Sequence, residues 1–182
     1  MKIVIAPDSF KGSLTASEAA DAIETGFCAV YPDAEYVKVP MADGGEGTVQ
    51  SLVDATSGTI INHSVSGPMG DLVEGFFGIL GDSQTAVIEM AAASGIHLVK
   101  PEERNIYQAS SFGTGQLINA ALDHGCDKLV VGLGGSATND GGMGMMKAFG
   151  AQFLDQGGAQ LAPDVRALLQ LARIDLQHLD SR

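Results

Sequence analysis

A chain of 182 residues with 45% hydrophobic and 18% charged content is long enough to bury a core and is not a disordered sequence. Its 22 acidic against 10 basic residues give a formal net charge of −12, a field that repels a nucleic-acid backbone and an anionic membrane surface. A small phosphorylated ligand is not excluded, because backbone amides and a placed lysine act locally, within about a Debye length.

Cys28 and Cys126 are too few and too isolated for a disulfide framework or a metal knuckle, and they read as buried free thiols. The opening MKIVIAPDSF has only a short apolar run before Asp8. It reads as neither a signal peptide nor a membrane span, and the expected location is the cytoplasm.

Lys2 to Ala6 predict a first strand, ended by Pro7. The loop DSFKGSLT follows, and Thr15 with Glu18 makes a Thr-x-x-Glu capping box that starts a helix over 16–30. Ala19, Ala22, Ile23, Phe27 and Val30 recur at helical spacing and are expected to face a sheet. Pro32 and Asp33 turn the chain into a second strand over 34–39. The glycine loop PMADGGEGT comes next, and a helix over 49–56 stops at Gly58. This is βαβα grammar with both polar loops after strands, the ligand side of an open α/β sheet.

From Thr59 the grammar changes. TIINHSVSG and LVEGFFGIL alternate across the turn PMGD, and TAVIEMA adds a further run, as in an antiparallel meander. Residues 91–112 carry no single pattern, and a helix over 114–125 ends at Gly125. Leu129 to Val131 then form an apolar, β-branched run, the signature of a strand buried on both faces. It opens into GLGGSATNDGG and a helix over MGMMKAFG. AQFLD, a DQGG turn and a short helix over 164–171 complete the pattern. The change near residue 60 predicts a domain over 1–60 and another over 61–182.

A strand that opens into glycines and then a helix leaves backbone N–H groups facing any approaching anion. Ser136, Thr138, Asn139 and Asp140 add hydroxyls, an amide and a carboxylate to that loop. Lys11, in a glycine/serine loop beside a strand end, is either a solvated surface lysine or a cation for a phosphoryl group. Asp8 reads as an Asx-turn group or as a site residue. Asp43 and Glu46 flank Gly44 and Gly45, which suits a general base, a magnesium ligand or a plain acidic turn. Glu89 ends an apolar strand, either capped by backbone amides or orienting a site residue. His63, His97, His124 and His178 have no carboxylate or cysteine at ligand spacing, and Ser136 lacks the Gly-x-Ser-x-Gly frame of a hydrolase elbow. No Walker sequence is present.

The strings APDSFKGSLTASEAADAI, PMADGGEGTV, IEMAAASG, SFGTGQLI and GLGGSATNDGGMGM, in that order, resemble the type 1 glycerate kinases of bacteria over essentially the whole chain. The resemblance implies ATP- and Mg²⁺-dependent phosphorylation of D-glycerate, giving 2-phosphoglycerate. It also implies a flavodoxin-like parallel α/β domain and a second α/β domain with a mixed sheet, the active site lying in the cleft between them.

For that chemistry Asp43 and Asp140 are the candidates for base and magnesium ligand, and Lys11 for the cation at the transferred phosphoryl. Ser136, Thr138, Asn139, Asp8 and Ser9 are the candidate substrate contacts. Gly44, Gly45, Gly134 and Gly135 are the candidate phosphate-binding backbone. The segment RNIYQASSFGTG departs from the family's Pro-Leu-containing pattern, so Ser110 and Ser111 are given less weight. Family members continue further. The flavodoxin-like part is therefore expected to be incomplete, its loops loose against 134–142, and the chain alone to show little kinase activity. The alternative is a non-catalytic α/β fragment that binds ligand or self-associates as a homo-oligomer.

Overall fold

The structure, a computed structural model, describes residues 1–10 and 12–182. The candidate cation Lys11 therefore lies outside the described residues. Strands β1 (Lys2–Ile5) and β2 (Glu35–Lys38) pair in parallel, Lys2 opposite Glu35. The helix between them, α1 (Ala16–Cys28), starts at the expected capping box. Thr15 Oγ1 accepts from Glu18 N–H at 3.2 Å, and the Glu18 carboxylate accepts from Thr15 N–H at 2.8 Å. It buries Ala16, Ala19 and Ala20, whereas Phe27 and Val30 stay exposed. The expected sheet-facing stripe stops short because a two-stranded sheet is too narrow to cover a whole helix.

Helix α2 (Thr48–Thr56) leads into the meander β3 (Thr59–Ser66), β4 (Leu72–Ile79) and β5 (Thr85–Glu89). Short helix α3 (Ala91–Ser94) and helix α4 (Phe112–Asp123) follow, and then strand β6 (Lys128–Gly132). The sheet order is β3-β4-β5-β6, antiparallel up to β5 and parallel between β5 and β6, so the sheet is mixed, as expected. Helix α2 covers one face, where Val49 and Val53 meet Val87, Ile60 and Phe76. Gly78 makes room for it, since a Cβ there would come 3.0 Å from Val49 Cγ1. Helix α4 covers the other face, Leu117 and Ala121 packing with Val65, Phe77 and Ile88. Fully burying each large apolar side chain here contributes about 2 kcal/mol.

Helix α2 and the start of β3 thus belong by packing to the four-stranded sheet, although both precede residue 61. The packing partner changes in the loop at 39–47. Strand β6 also differs from expectation. It is an edge strand, and Leu129 and Val130 keep 40% and 45% exposure instead of being buried on both faces. Beyond it come α5 (Met143–Ala148) and the antiparallel pair β7 (Gln152–Leu154) and β8 (Arg173–Asp175), around Met143, Phe153 and Leu161. The segment expected as a short helix over 164–171 is a 3₁₀ turn at Val165–Gln170. Among the described residues no helix is long and apolar enough to cross a membrane.

Candidate active site

Strands β5 and β6 run in parallel and end together, Glu89 opposite Gly132. Beyond these ends the 134–142 loop is stitched to the segment around α3. Ile96 N–H donates to Gly135 O at 2.8 Å and Ala137 N–H to Ser94 O at 2.9 Å. The Ser136 hydroxyl donates to Met90 Sδ at 3.1 Å.

The other glycine loop lies directly on this one. A Cβ at Gly132 would come 2.5 Å from Gly44 O, and one at Gly134 would come 2.8 Å from Gly45 Cα. Glycine is needed at both positions because two backbones touch there. Gly44 and Gly45 of one loop thus lie in backbone contact with Gly132 and Gly134 beside the other.

Glu89 fixes the same corner from below. It is only 4% exposed, and its Oε1 accepts from Val49 N–H at 2.8 Å, at the start of α2. Burial pushes its carboxyl above the ordinary carboxylate range, opposed by the N–H groups of Val49, Gly47 and Thr48 and reinforced by the nearby charge of Glu46. By linkage this raised carboxyl gives no stability at neutral pH. The folded state binds its proton more tightly, so stability falls as pH rises through the ordinary carboxylate range.

A cleft of about 480 Å³ opens above, lined by Glu46, Gln50, Asn62, Glu89, His97 and Gly135 among others. An adjoining hollow of about 340 Å³ shares Glu46, Gly47 and Gln50 with it and reaches Ser9. Ser9 therefore stands on the cleft's side of the molecule. Asp8 is exposed and its Oδ1 accepts from Ser9 N–H at 2.6 Å, a local contact. Asp43 is exposed, and its Oδ1 accepts from Gly45 N–H at 3.1 Å. Its other oxygen has no partner among the described residues. Ser136 and Asn139 are exposed and Thr138 is half-buried. The amides of Gly134 and Gly135 donate to no acceptor among the described residues.

Asp140 is placed differently. It is 4% exposed and its oxygens are occupied. Oδ2 accepts from Ser111 N–H at 2.8 Å, Ser111 Oγ at 2.9 Å and Gly144 N–H at 3.0 Å, while Oδ1 accepts from Gly142 N–H at 3.0 Å. Ser111 Oγ in turn accepts from Met145 N–H at 2.9 Å. The carboxylate therefore joins the start of α4 to the start of α5. The N–H groups expected to await an anion at the start of α5 are held by Asp140 instead. Asp140 faces a separate cavity of about 190 Å³ with Ser110 and Lys147, which Asp43 does not line. Burial lowers the affinity of Lys147 for its proton.

Among the described residues no group of three His, Cys, Asp or Glu side chains is placed to hold a metal. Magnesium in phosphoryl transfer commonly needs one or two carboxylates, the remaining positions going to phosphate oxygens and water. Asp43, with an oxygen free, fits that need. Asp140 already carries four donors, three on Oδ2 and one on Oδ1, so it is bound into the fold more tightly than Asp43. Ser111, given less weight from sequence, proves a partner of that buried carboxylate; its signal was the SFGTG string itself.

Comparison with known proteins gives a consistent picture. A sequence model described as the Glycerate kinase family matches residues 3–182. The chain is 61% identical to a glycerate kinase of Bacillus subtilis (strain 168) over all of its own length and 48% of that protein. It is 52% identical to the glycerate 2-kinase of Escherichia coli (strain K12), again over all of its length and 48% of the relative. A crystal structure from Salmonella typhimurium LT2, assigned as a glycerate kinase 2, superposes with a TM-score of 0.88 at 53% identity, over all of this chain and 49% of that one. The chain spans about half the length of the curated relatives it matches.

Proposed function

The chain belongs to the glycerate kinase family, and from that premise we propose that it carries the substrate-binding part of an enzyme that phosphorylates D-glycerate with ATP to 2-phosphoglycerate. The observation that carries this is the backbone contact of Gly44 and Gly45 with Gly132 and Gly134, which sets the two glycine loops side by side, Glu46 and Gly47 of one and Gly135 of the other lining one cleft. The name of the Escherichia coli relative, a glycerate 2-kinase, supports the 2-position.

The carboxylate of glycerate needs donors. The free amides of Gly134 and Gly135, with Ser136, Thr138 and Asn139, supply them. Asp43 takes the proton of the attacking hydroxyl or, through its free oxygen, holds Mg²⁺ against the phosphates, and Gly44 and Gly45 face that charge with backbone. Bound MgATP would supply the phosphoryl group and its charge neutralisation. Lys11, outside the described residues, remains the sequence's candidate for a cation there. Asp140 positions the loop through Ser111. Ser9 borders the nucleotide or substrate from the adjoining hollow, with Asp8 holding its amide. The division between α/β units belongs in the 39–47 loop, since α2 packs on the four-stranded sheet. ATP chemistry on a small acid fits a cytoplasmic location.

A form of full family length carrying this chain is expected to release ADP with D-glycerate and not with glycerol or pyruvate. Asn139→Ala should raise KM for glycerate several-fold more than KM for ATP. An absence of D-glycerate-dependent turnover would contradict the activity, and a shift in the ATP KM alone would move the 134–142 loop to the nucleotide side. A second role is favoured by the exposed Leu129, Val130 and Leu133 on and beside the edge strand β6: in isolation the chain self-associates as a homo-oligomer.

A further inference from the structure

Glu89 is a buried carboxylate for which the proposed reaction has no use. It stands at the meeting of four pieces of the site. Its backbone pairs with Gly132 at the end of β6, and its Oε1 holds Val49 N–H at 2.8 Å. Gly132 in turn touches Gly44, and the cleft lies above with Glu46, His97 and Gly135. At the start of α2 the Thr48 N–H reaches Gly45 O at 3.3 Å, and without Glu89 the Val49 N–H would be left without an acceptor. Gly47, which precedes α2, adopts a φ of +90° and supplies no side-chain cap of its own.

We propose that Glu89 is a positioning residue for the cleft: its carboxylate replaces the missing cap of α2 and so holds Gly44 and Gly45 against Gly132 and Gly134. It acts through backbone and touches no reacting atom. A purely stabilising group at this depth would be better served by an uncharged side chain, since burial works against the charge. The carboxylate's two acceptor oxygens can serve the N–H groups of Gly47, Thr48 and Val49 together. A glutamine offers only one acceptor oxygen and turns an N–H₂ toward the remaining donors. The charged groups facing Glu89 are Glu46 from the loop before α2 and the titratable His97 from the segment after α3.

The inference rests on the cleft described under Proposed function, and its test separates the two. Amide hydrogen exchange is measured on the 182-residue chain as wild type, Glu89→Ala, Glu89→Gln and Glu89→Asp, with D-glycerate as the binding probe. Glu89→Ala is expected to lose roughly tenfold or more of the protection of Gly47, Thr48 and Val49 amides, while the amides of β3 and β4 keep theirs. Glu89→Gln should lose part of it. Glu89→Asp, one methylene short of Val49, should behave like alanine. D-glycerate affinity should fall in the same order. Unchanged protection at 47–49 in Glu89→Ala would overturn the proposal, as would an equal loss across the whole chain. If wild type binds no D-glycerate, the substrate assignment fails, and the exchange pattern alone decides on Glu89.

Discussion

Asp140→Ala is expected to destabilise the chain by about 3 kcal/mol or more. The substitution removes the acceptor of three backbone N–H groups, those of Ser111, Gly142 and Gly144, and of the Ser111 hydroxyl, all at a site only 4% exposed. Water cannot replace a carboxylate at the buried donors, so the cost follows from stranding them rather than from losing one average hydrogen bond. Asp140→Asn keeps the shape and one acceptor oxygen but turns an N–H₂ toward a backbone donor, so about half of the loss is expected. Ser111→Ala, which removes a hydroxyl donating to Asp140 and accepting from Met145 N–H, should cost about 1 kcal/mol. Urea unfolding measures all of these. An Asp140→Asn variant with wild-type stability and lost activity would return Asp140 to the chemistry.

Gly132→Ala should have the largest effect on ligand binding. The added Cβ would lie 2.5 Å from Gly44 O, and backbone cannot swing away as a flexible side chain can. Loop 42–48 must lift off the end of β6, and Asp43 moves with it. A displacement of about 1 Å at a reacting group costs on the order of 100-fold. The core packing of α4 on the sheet, made by Leu117, Phe77 and Ile88, is remote from that contact. Stability should therefore fall far less than activity in the enzyme of family length. Comparing kcat/KM with the unfolding midpoint checks this. Loss of both in proportion would mean that the glycine is needed for folding alone.

The elements were legible wherever a local rule governs. The Thr15–Glu18 capping box started α1 at the expected residue, and alternation across the PMGD turn predicted the antiparallel pairing of β3 and β4. The two glycine loops were legible as candidates for a site because strand, glycines and helix follow one another in sequence. What a helix or strand packs against was not legible in the same way. Phe27 and Val30 have helical spacing whether or not a sheet lies beneath them, and Leu129 to Val131 read alike at a sheet's centre or its edge. Strand β8, over Arg173–Asp175, is held by pairing with β7 rather than by its own pattern. The partners of Asp140 were hidden for a similar reason. Its partner Ser111 lies 29 residues away, and sequence shows the carboxylate without showing who occupies it. The contact of Gly44 with Gly132 is equally non-local, joining two loops 88 residues apart in sequence.

The central claim is that the cleft between loops 42–48 and 134–139 takes the small hydroxy acid. Titrating the isotopically labelled 182-residue chain with D-glycerate, and following backbone amide shifts, tests it most directly. The changes should centre on Gly44 to Gly47 and Gly134 to Asn139, saturate, and be absent with glycerol, which lacks the carboxylate. Shifts centred instead on Ser110, Gly144 and Lys147, around the cavity that Asp140 faces, would contradict it, and so would a flat titration.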